Sequence, residues 1–266
     1  MKFSGCLIAS DYDGTLYNNE GIITQQVREK IAYYIANGGR FTVCTGRTKQ
    51  GFHAYDSSYI NAPVLLANGS TAYDYAENKL CFKVPVGEEI FDAVRDIAAE
   101  FPEVSIEMYS YYNSFVINNS ETSHHHFTLQ NIDYSVVSDP SEADSPWQKV
   151  MLYAPGDVSA KVQEYLKANW HDVHFLPTTG EYIEIMQKGV DKGTGLLKLA
   201  DSLNISHDKV FSVGDGFNDV EMLAAAKIGF VPANGCEEAF AAADKIVRSN
   251  DEGAVAHVIE ILDGIF

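Results

Sequence analysis

The sequence predicts an α/β protein, a doubly wound parallel sheet with an inserted α+β domain. Three observations carry this prediction. Short apolar runs alternate with helical patterns at the start, strands with alternating pattern and many tyrosines begin near residue 82, and the first texture resumes at Asp191. Apolar strands separated by helices imply a parallel sheet covered on both faces, whereas alternation suits a sheet with one exposed face.

The elements follow in order. Residues 6–10 read as a buried strand, and residues 24–37 as a helix. Thr24 can cap that helix, Val27, Ile31, Tyr34 and Ile35 give it one apolar face, and Gly38-Gly39 stop it. Residues 41–45 form a second strand and residues 64–67 a third, ended by Asn68-Gly69. In the middle segment, residues 104–108 and 113–117 read as adjacent strands and residues 149–154 as another. A helix near 157–170 and strands near 173–176 and 181–186 follow, with an acidic loop at 138–146. Residues 192–203 are helical behind Asp191 as N-cap. A strand at 210–213 ends at Gly214-Asp215, and two further strands, at 228–231 and 245–247, alternate with helices at 218–226, 236–243 and 252–263. The expected division is a core domain from residues 1–82 and 188–266, with residues 83–187 inserted as a second domain.

Composition narrows the function. In 266 residues, 46% hydrophobic, there is enough apolar material for a sizeable core, so disorder is excluded. A net charge of −18 excludes nucleic acid and an anionic membrane surface as partners, because both require a basic face. An anionic substrate must then be attracted locally, against the global field. No apolar run is long enough to span a bilayer, and Asp11 arrives before a signal-peptide apolar region could be completed, so the expected location is cytoplasmic. Cys6, Cys44, Cys81 and Cys236 are widely spaced and form no Cys-x-x-Cys pair, which argues against a disulfide framework or a zinc site. Nothing in the chain points to a protein partner.

The chemistry concentrates in four places. Asp11 and Asp13 stand one residue apart in Asp11-Tyr12-Asp13-Gly14-Thr15-Leu16, directly after the first strand. Two acids there repel one another and lose solvation in a dry site, a cost that a divalent cation usually offsets. Thr45-Gly46-Arg47, Lys192 and Gly214-Asp215-Gly216-Phe217-Asn218-Asp219 likewise follow a strand or open a helix. In a doubly wound sheet such ends converge on one crevice. Together they supply acids for a hard cation, a fixed positive charge, a hydroxyl and backbone N–H groups. Phosphoryl transfer needs this equipment, since its catalysis is mainly positioning and charge neutralisation.

In this order the four pieces resemble the four motifs of the haloacid dehalogenase (HAD) superfamily, and the long insertion between the second and third resembles the class IIB cap of its Cof-type subfamily. The resemblance spans the whole chain. It implies a HAD-like Rossmannoid core and a Mg²⁺-dependent phosphatase of small phosphorylated metabolites, commonly sugar phosphates. Asp11 would be the nucleophile that forms an aspartyl phosphate. Asp13, protonated at the start, would serve as acid and then base. Mg²⁺ would bind the Asp11 side chain, the Asp13 backbone carbonyl and the Asp215 side chain. Thr45, Gly46 and Asn218 would contact the phosphoryl group, Lys192 would neutralise phosphate and Asp11, and Asp219 would orient Lys192 or a metal-bound water. The cap would select the organic part of the substrate. A phosphomutase of the same superfamily, or a catalytically idle metal-dependent binding protein, would share the fold. The intact set of Asp11, Asp13, Lys192 and Asp215 argues against the idle reading.

Each motif alone has a plain structural explanation. Asp13-Gly14 and Gly214-Asp215-Gly216 are turn sequences, Thr45-Gly46 ends a strand, and Lys192 is a helix-start residue. The order of all four is what makes the plain explanation fail. His124-His125-His126 reads as an exposed segment, because consecutive residues do not face one point. Gly193-Thr194-Gly195 lacks the third glycine of a dinucleotide fingerprint. Tyr109, Tyr111, Tyr112, Tyr153 and Tyr182 suit a sheet core better than a sugar platform. Arg47 and Asn68 are open between a structural and a functional role.

Overall fold

The computed structural model describes residues 1–178 and 181–266. In chain order the strands are β1 (Leu7–Ser10), β2 (Arg40–Val43), β3 (Val64–Leu66), β4 (Thr71–Asp74) and β5 (Lys79–Lys83). Then come β6 (Ser105–Ser110), β7 (Ser114–Ile117), β8 (Ser135–Val136), β9 (Trp147–Tyr153), β10 (His174–Pro177) and β11 (Tyr182–Met186). The last three are β12 (Val210–Val213), β13 (Ile228–Pro232) and β14 (Lys245–Val247). The helices are α1 (Gln25–Ala36), α2 (Glu89–Glu100), α3 (Glu121–Leu129), α4 (Val158–Asn169), α5 (Lys192–Ser202), α6 (Val220–Ala225), α7 (Glu237–Ala242) and α8 (Ala254–Ile265). The chain forms two compact units: Met1–Gly46 with Ala54–Phe82 and Asp191–Phe266, and Arg47–His53 with Lys83–Val190.

The first unit is built on a five-stranded parallel sheet, order β14-β13-β12-β1-β2. From β1 the chain steps to β2 on one side and later enters β12 on the other, so the strand order reverses at the β1/β12 boundary. Ligands bind outside the carboxyl ends of strands at such a reversal. Every residue of β1 and β12 is buried, as strands covered on both faces must be. On one face Leu7 and Ala9 pack with Leu196, Leu199 and Ala200 of α5 and Met222 of α6. Helix α1 packs against α8 and buries Val27, Ile31 and Tyr34. Thr24 does cap α1, its hydroxyl oxygen accepting from the Val27 N–H at 3.4 Å.

Strand β3 keeps a parallel neighbour and adds an antiparallel one. It runs parallel beside the end of β2, through the Cys44–Leu65 bridge and the Thr45 N–H donating to the Leu65 carbonyl (2.9 Å), and pairs antiparallel with β4 in a three-stranded sheet β3-β4-β5. The cause of the added pairing is local. Ala67, Asn68 and Gly69 all have positive φ (46°, 51° and 86°), and this left-handed turn sends the chain straight back along β3. Gly193 and Gly195 open α5 for a packing reason. A Cβ on Gly193 would lie 2.3 Å from the Glu221 carbonyl oxygen, and one on Gly195 2.5 Å from Gly69 Cα. Their spacing is therefore a close-approach device rather than a nucleotide fingerprint.

The second unit carries a six-stranded sheet, order β10-β11-β9-β6-β7-β8, antiparallel except between β7 and β8. On one face Ile106, Met108, Val150, Leu152, Ile183 and Ile185 pack with Ile90, Val94 and Ile97 of α2 and Val162 and Leu166 of α4. Trp147 is fully buried and stacks on Phe91, ring centroids 3.9 Å apart. The alternate residues of these strands form a second, polar set. Lys149 Nζ donates to Glu184 at 2.6 Å, and Glu107 accepts from the Tyr109 hydroxyl at 2.6 Å and lies 2.8 Å from His126 Nδ1.

Candidate active site

Every candidate site residue except Arg47 lies in the first unit. Asp11 directly follows β1, and its N–H donates to the Val213 carbonyl at the end of β12 (2.8 Å). The turn Tyr12–Leu16 follows, and it meets Asp215 just beyond β12. Gly14 adopts φ 84°, and a Cβ there would lie 2.5 Å from Asp215 Oδ2. One residue on, the Thr15 hydroxyl donates to Asp215 Oδ1 at 2.5 Å. Asp191 caps α5, accepting from the Thr194 N–H at 2.7 Å, and this sets Lys192 at the first helical position.

Lys192 is fully buried and donates to two carboxylates, Asp11 Oδ1 at 2.5 Å and Asp219 Oδ1 at 2.6 Å. The other Asp219 oxygen accepts from the Gly216 N–H at 2.9 Å. Carboxylate oxygens of Asp11, Asp215 and Asp219 lie within 4.8 Å of one another. Burial pushes the Asp11 carboxyl up, Lys192 pulls it back, and Asp219 and Asp215 raise it again. Asp215 is also raised, by burial first, with the Thr15 hydrogen bond opposing. Burial disfavours the Lys192 charge, but Asp11 and Asp219 outweigh it and hold the ammonium protonated well above ordinary lysine. Three acids against one lysine leave the pocket short of positive charge.

A second group sits beside this one. Thr45 is buried just beyond β2, its N–H donating to the Leu65 carbonyl (2.9 Å) and its carbonyl accepting from the Asn68 N–H (3.0 Å). Asn218 Nδ2 donates to Asn68 Oδ1 at 3.1 Å, and a Cβ on Gly46 would meet that same oxygen at 3.1 Å. Asp13 is exposed, on the same turn as Gly14. The structure thus brings Asp11, Lys192, Asp215 and Asp219 into one cluster and Gly46 and Asn218 into a neighbouring one, with Thr45 tied in through Asn68.

Two residues of the site carry no role in the sequence reading. Thr15 is one, although its place in Asp-x-Asp-Gly-Thr is the signal that could have shown it. Asn68 is the other: the sequence left it open between a turn and the crevice, and the structure places its side chain against Asn218. Arg47 groups with the second unit, its Nη1 3.4 Å from the Gly51 carbonyl. His126 turns to Glu107, while His124 Nδ1 lies 2.9 Å from the Tyr134 hydroxyl, so the histidine run does not converge. Tyr109 and Tyr111 are buried, Tyr112 exposed. All four cysteines are free. Among the described residues, no helix is long and apolar enough to cross a membrane.

The donor set fits a hard divalent cation. Asp11 and Asp215 each commit one carboxylate oxygen to a side chain, Asp11 to Lys192 and Asp215 to Thr15, and their oxygens lie close together. Both oxygens of Asp219 are engaged, one by Lys192 and the other by the Gly216 N–H. Clustered carboxylate oxygens beside a single lysine suit a hard divalent cation.

Comparison with known proteins agrees with this geometry. A family model described as haloacid dehalogenase-like hydrolase matches residues 8–259. The 5-amino-6-(5-phospho-D-ribitylamino)uracil phosphatase YwtE of Bacillus subtilis is 26% identical, over 96% of this chain and 97% of its own length. In fold, a haloacid dehalogenase-like hydrolase from Bacteroides thetaiotaomicron superposes with a TM-score of 0.84 at 22% identity, covering 98% of this chain and 99% of that one. The HAD subclass IIB sugar phosphatase BT4131 superposes equally well, with a TM-score of 0.84 at 19% identity over 98% of this chain and all 100% of its own. The matched span contains all four motifs, the buried lysine and the acidic cluster it binds, and the chain belongs to the haloacid dehalogenase-like hydrolase family.

Proposed function

We propose that this chain is a Mg²⁺-dependent phosphatase of small phosphorylated metabolites, sugar phosphates foremost, working through a phosphoryl group carried on Asp11. One observation carries the reading. Asp11 is buried at a strand end, bonded to a lysine that Asp219 also holds, with Asp215 alongside. The relatives that are named for substrates, a ribitylamino-uracil phosphate phosphatase and a sugar phosphatase, support a hydroxylated phosphomonoester.

In this mechanism an Asp11 carboxylate oxygen attacks phosphorus, and the bond from phosphorus to the substrate oxygen breaks. Asp13, exposed on the same turn, gives its proton to that leaving oxygen. It then takes a proton from the water that attacks the phosphoryl group, which frees inorganic phosphate and restores Asp11. Lys192 lowers the repulsion between Asp11 and the incoming phosphate. Thr45, Gly46 and Asn218 hold the phosphoryl oxygens. The Asp11 and Asp215 side chains and the Asp13 carbonyl would hold Mg²⁺, which supplies charge neutralisation when bound.

Gly14→Ala tests the acidic cradle. The added methyl would fall on Asp215 Oδ2, at a backbone φ that alanine disfavours. Moving that carboxylate is expected to raise the Mg²⁺ concentration for half-maximal phosphate release by about 10-fold or more, since misplacement of this order costs up to ~100-fold in rate. A Mg²⁺ titration of the variant measures it.

The reading itself is tested by phosphate release from a panel of phosphomonoesters, with Mg²⁺ and with EDTA. Release that EDTA stops and Mg²⁺ restores supports it. Release indifferent to EDTA would remove the metal, and isomerised sugar phosphate in place of free phosphate would make the chain a mutase.

A further inference from the structure

The left-handed turn between β3 and β4 is a strained segment of the first unit. Three successive residues, Ala67, Asn68 and Gly69, have positive φ, and all are buried. Alanine pays for this conformation, asparagine tolerates it and glycine adopts it freely. Such strain persists where the surroundings enforce it, and it clusters at functional sites. Here two neighbours enforce it. The Asn68 N–H donates to the Thr45 carbonyl at 3.0 Å, and Gly69 packs so closely on α5 that a Cβ would lie 2.4 Å from the Asp191 carbonyl oxygen. The turn is therefore held between the residue after β2 and the helix that starts with Lys192.

Reversing the chain requires only positive φ, which glycine supplies best. It does not require an amide side chain that is 4% exposed. That amide faces the site. Its Oδ1 accepts from Asn218 Nδ2 at 3.1 Å and borders Gly46. An acceptor there fixes which way the Asn218 amide is turned. We infer that Asn68 is a positioning residue for the phosphate cradle, acting through Asn218 by holding its amide in the orientation that binds a phosphoryl oxygen. This rests on the phosphatase reading above.

Asn68→Gly separates the side chain from the turn, because glycine keeps the left-handed backbone. The variant is expected to stay folded and to melt somewhat below the wild type, because a buried, hydrogen-bonded amide is lost. Its kcat/KM should fall about 10-fold or more, and its inhibition constant for inorganic phosphate should rise by a similar factor, as expected for a misplaced binding group. A residue needed only for the turn would move neither quantity. Asn218→Ala should show the same losses, and the double variant should be no worse than Asn218→Ala alone, because coupled residues are non-additive. Wild-type kinetics in Asn68→Gly, or losses that multiply in the double variant, would overturn the inference. A wild-type protein that releases no phosphate but binds inorganic phosphate would defeat the phosphatase reading alone, since weaker phosphate binding by Asn68→Gly still tests this one.

Discussion

Asp11→Asn is expected to abolish phosphate release and leave the fold intact. Asparagine matches aspartate in shape but is neither charged nor nucleophilic. Loss of a nucleophile that acts as part of a unit lowers kcat by at least roughly 10⁴-fold. Stability should stay level or rise. The Asp11 carboxyl is already pushed up by burial, so its charged form is costly, and Lys192 keeps Asp219 as a partner at 2.6 Å. Removing one charge relieves repulsion among three crowded acids. Phosphate release and a thermal melt, run side by side, check both halves. Release retained within 10-fold would sink Asp11 as nucleophile, and a collapsed melt would assign it a structural task instead.

Lys192→Met should damage stability as well as activity. Methionine fills most of the space, but Asp11 and Asp219 are left buried without their cation. Breaking one side of a buried ionic set costs about 3–5 kcal/mol, because the partners cannot return to water. Activity should fall by at least roughly 10²–10³-fold, the scale of losing one preorganised charge-stabilising group. The pH dependence has a definite sign. Burial already raises Asp11, and Lys192 is the main influence that lowers it. Without the lysine, the Asp11 and Asp215 carboxyls rise further above their unfolded values, and the folded state binds more protons than the unfolded one. The variant's stability is then greatest below the unfolded carboxylate range and is lost as pH rises through the raised folded values. In the wild type the raised Lys192 value places its loss of stability above the ordinary lysine range, so neutral pH leaves the bond intact. Urea melts of the variant at pH 5 and pH 8 read the difference, and equal midpoints would refute this account of the pocket.

How much of this was legible in the sequence depends on how local the cause is. Asp11 and Asp215 stood out because charge at the end of an apolar strand has no packing purpose, Lys192 because it completes the motif order at a helix start, and the three meet in the structure. The Asp191 cap and the Thr24 cap were legible for the same local reason. Strand β4, the antiparallel partner of β3, went unread because it depends on three backbone angles beyond β3, which Ala67-Asn68-Gly69 signals only weakly. Helix α2 escapes a reading tuned to strand alternation, although Ile90, Ala93, Val94 and Ile97 repeat at helical spacing. The link from Asn68 to Asn218 spans 150 positions and is invisible to any local pattern.

The pairing of β1 with β12, Leu7 opposite Val210, has a consequence for synthesis on the ribosome. Between β2 and β12 the ribosome must add roughly 170 residues, about 10–30 s of translation at common rates. Through that interval the strand that leads into Asp11 has β2 available but lacks its other neighbour. Residues 83–190, continuous in the chain, are complete before β12 exists. The nascent protein therefore finishes its second unit while the catalytic one waits for its last segment, and a stalled or truncated chain carries an unshielded apolar strand edge that invites capture by chaperones.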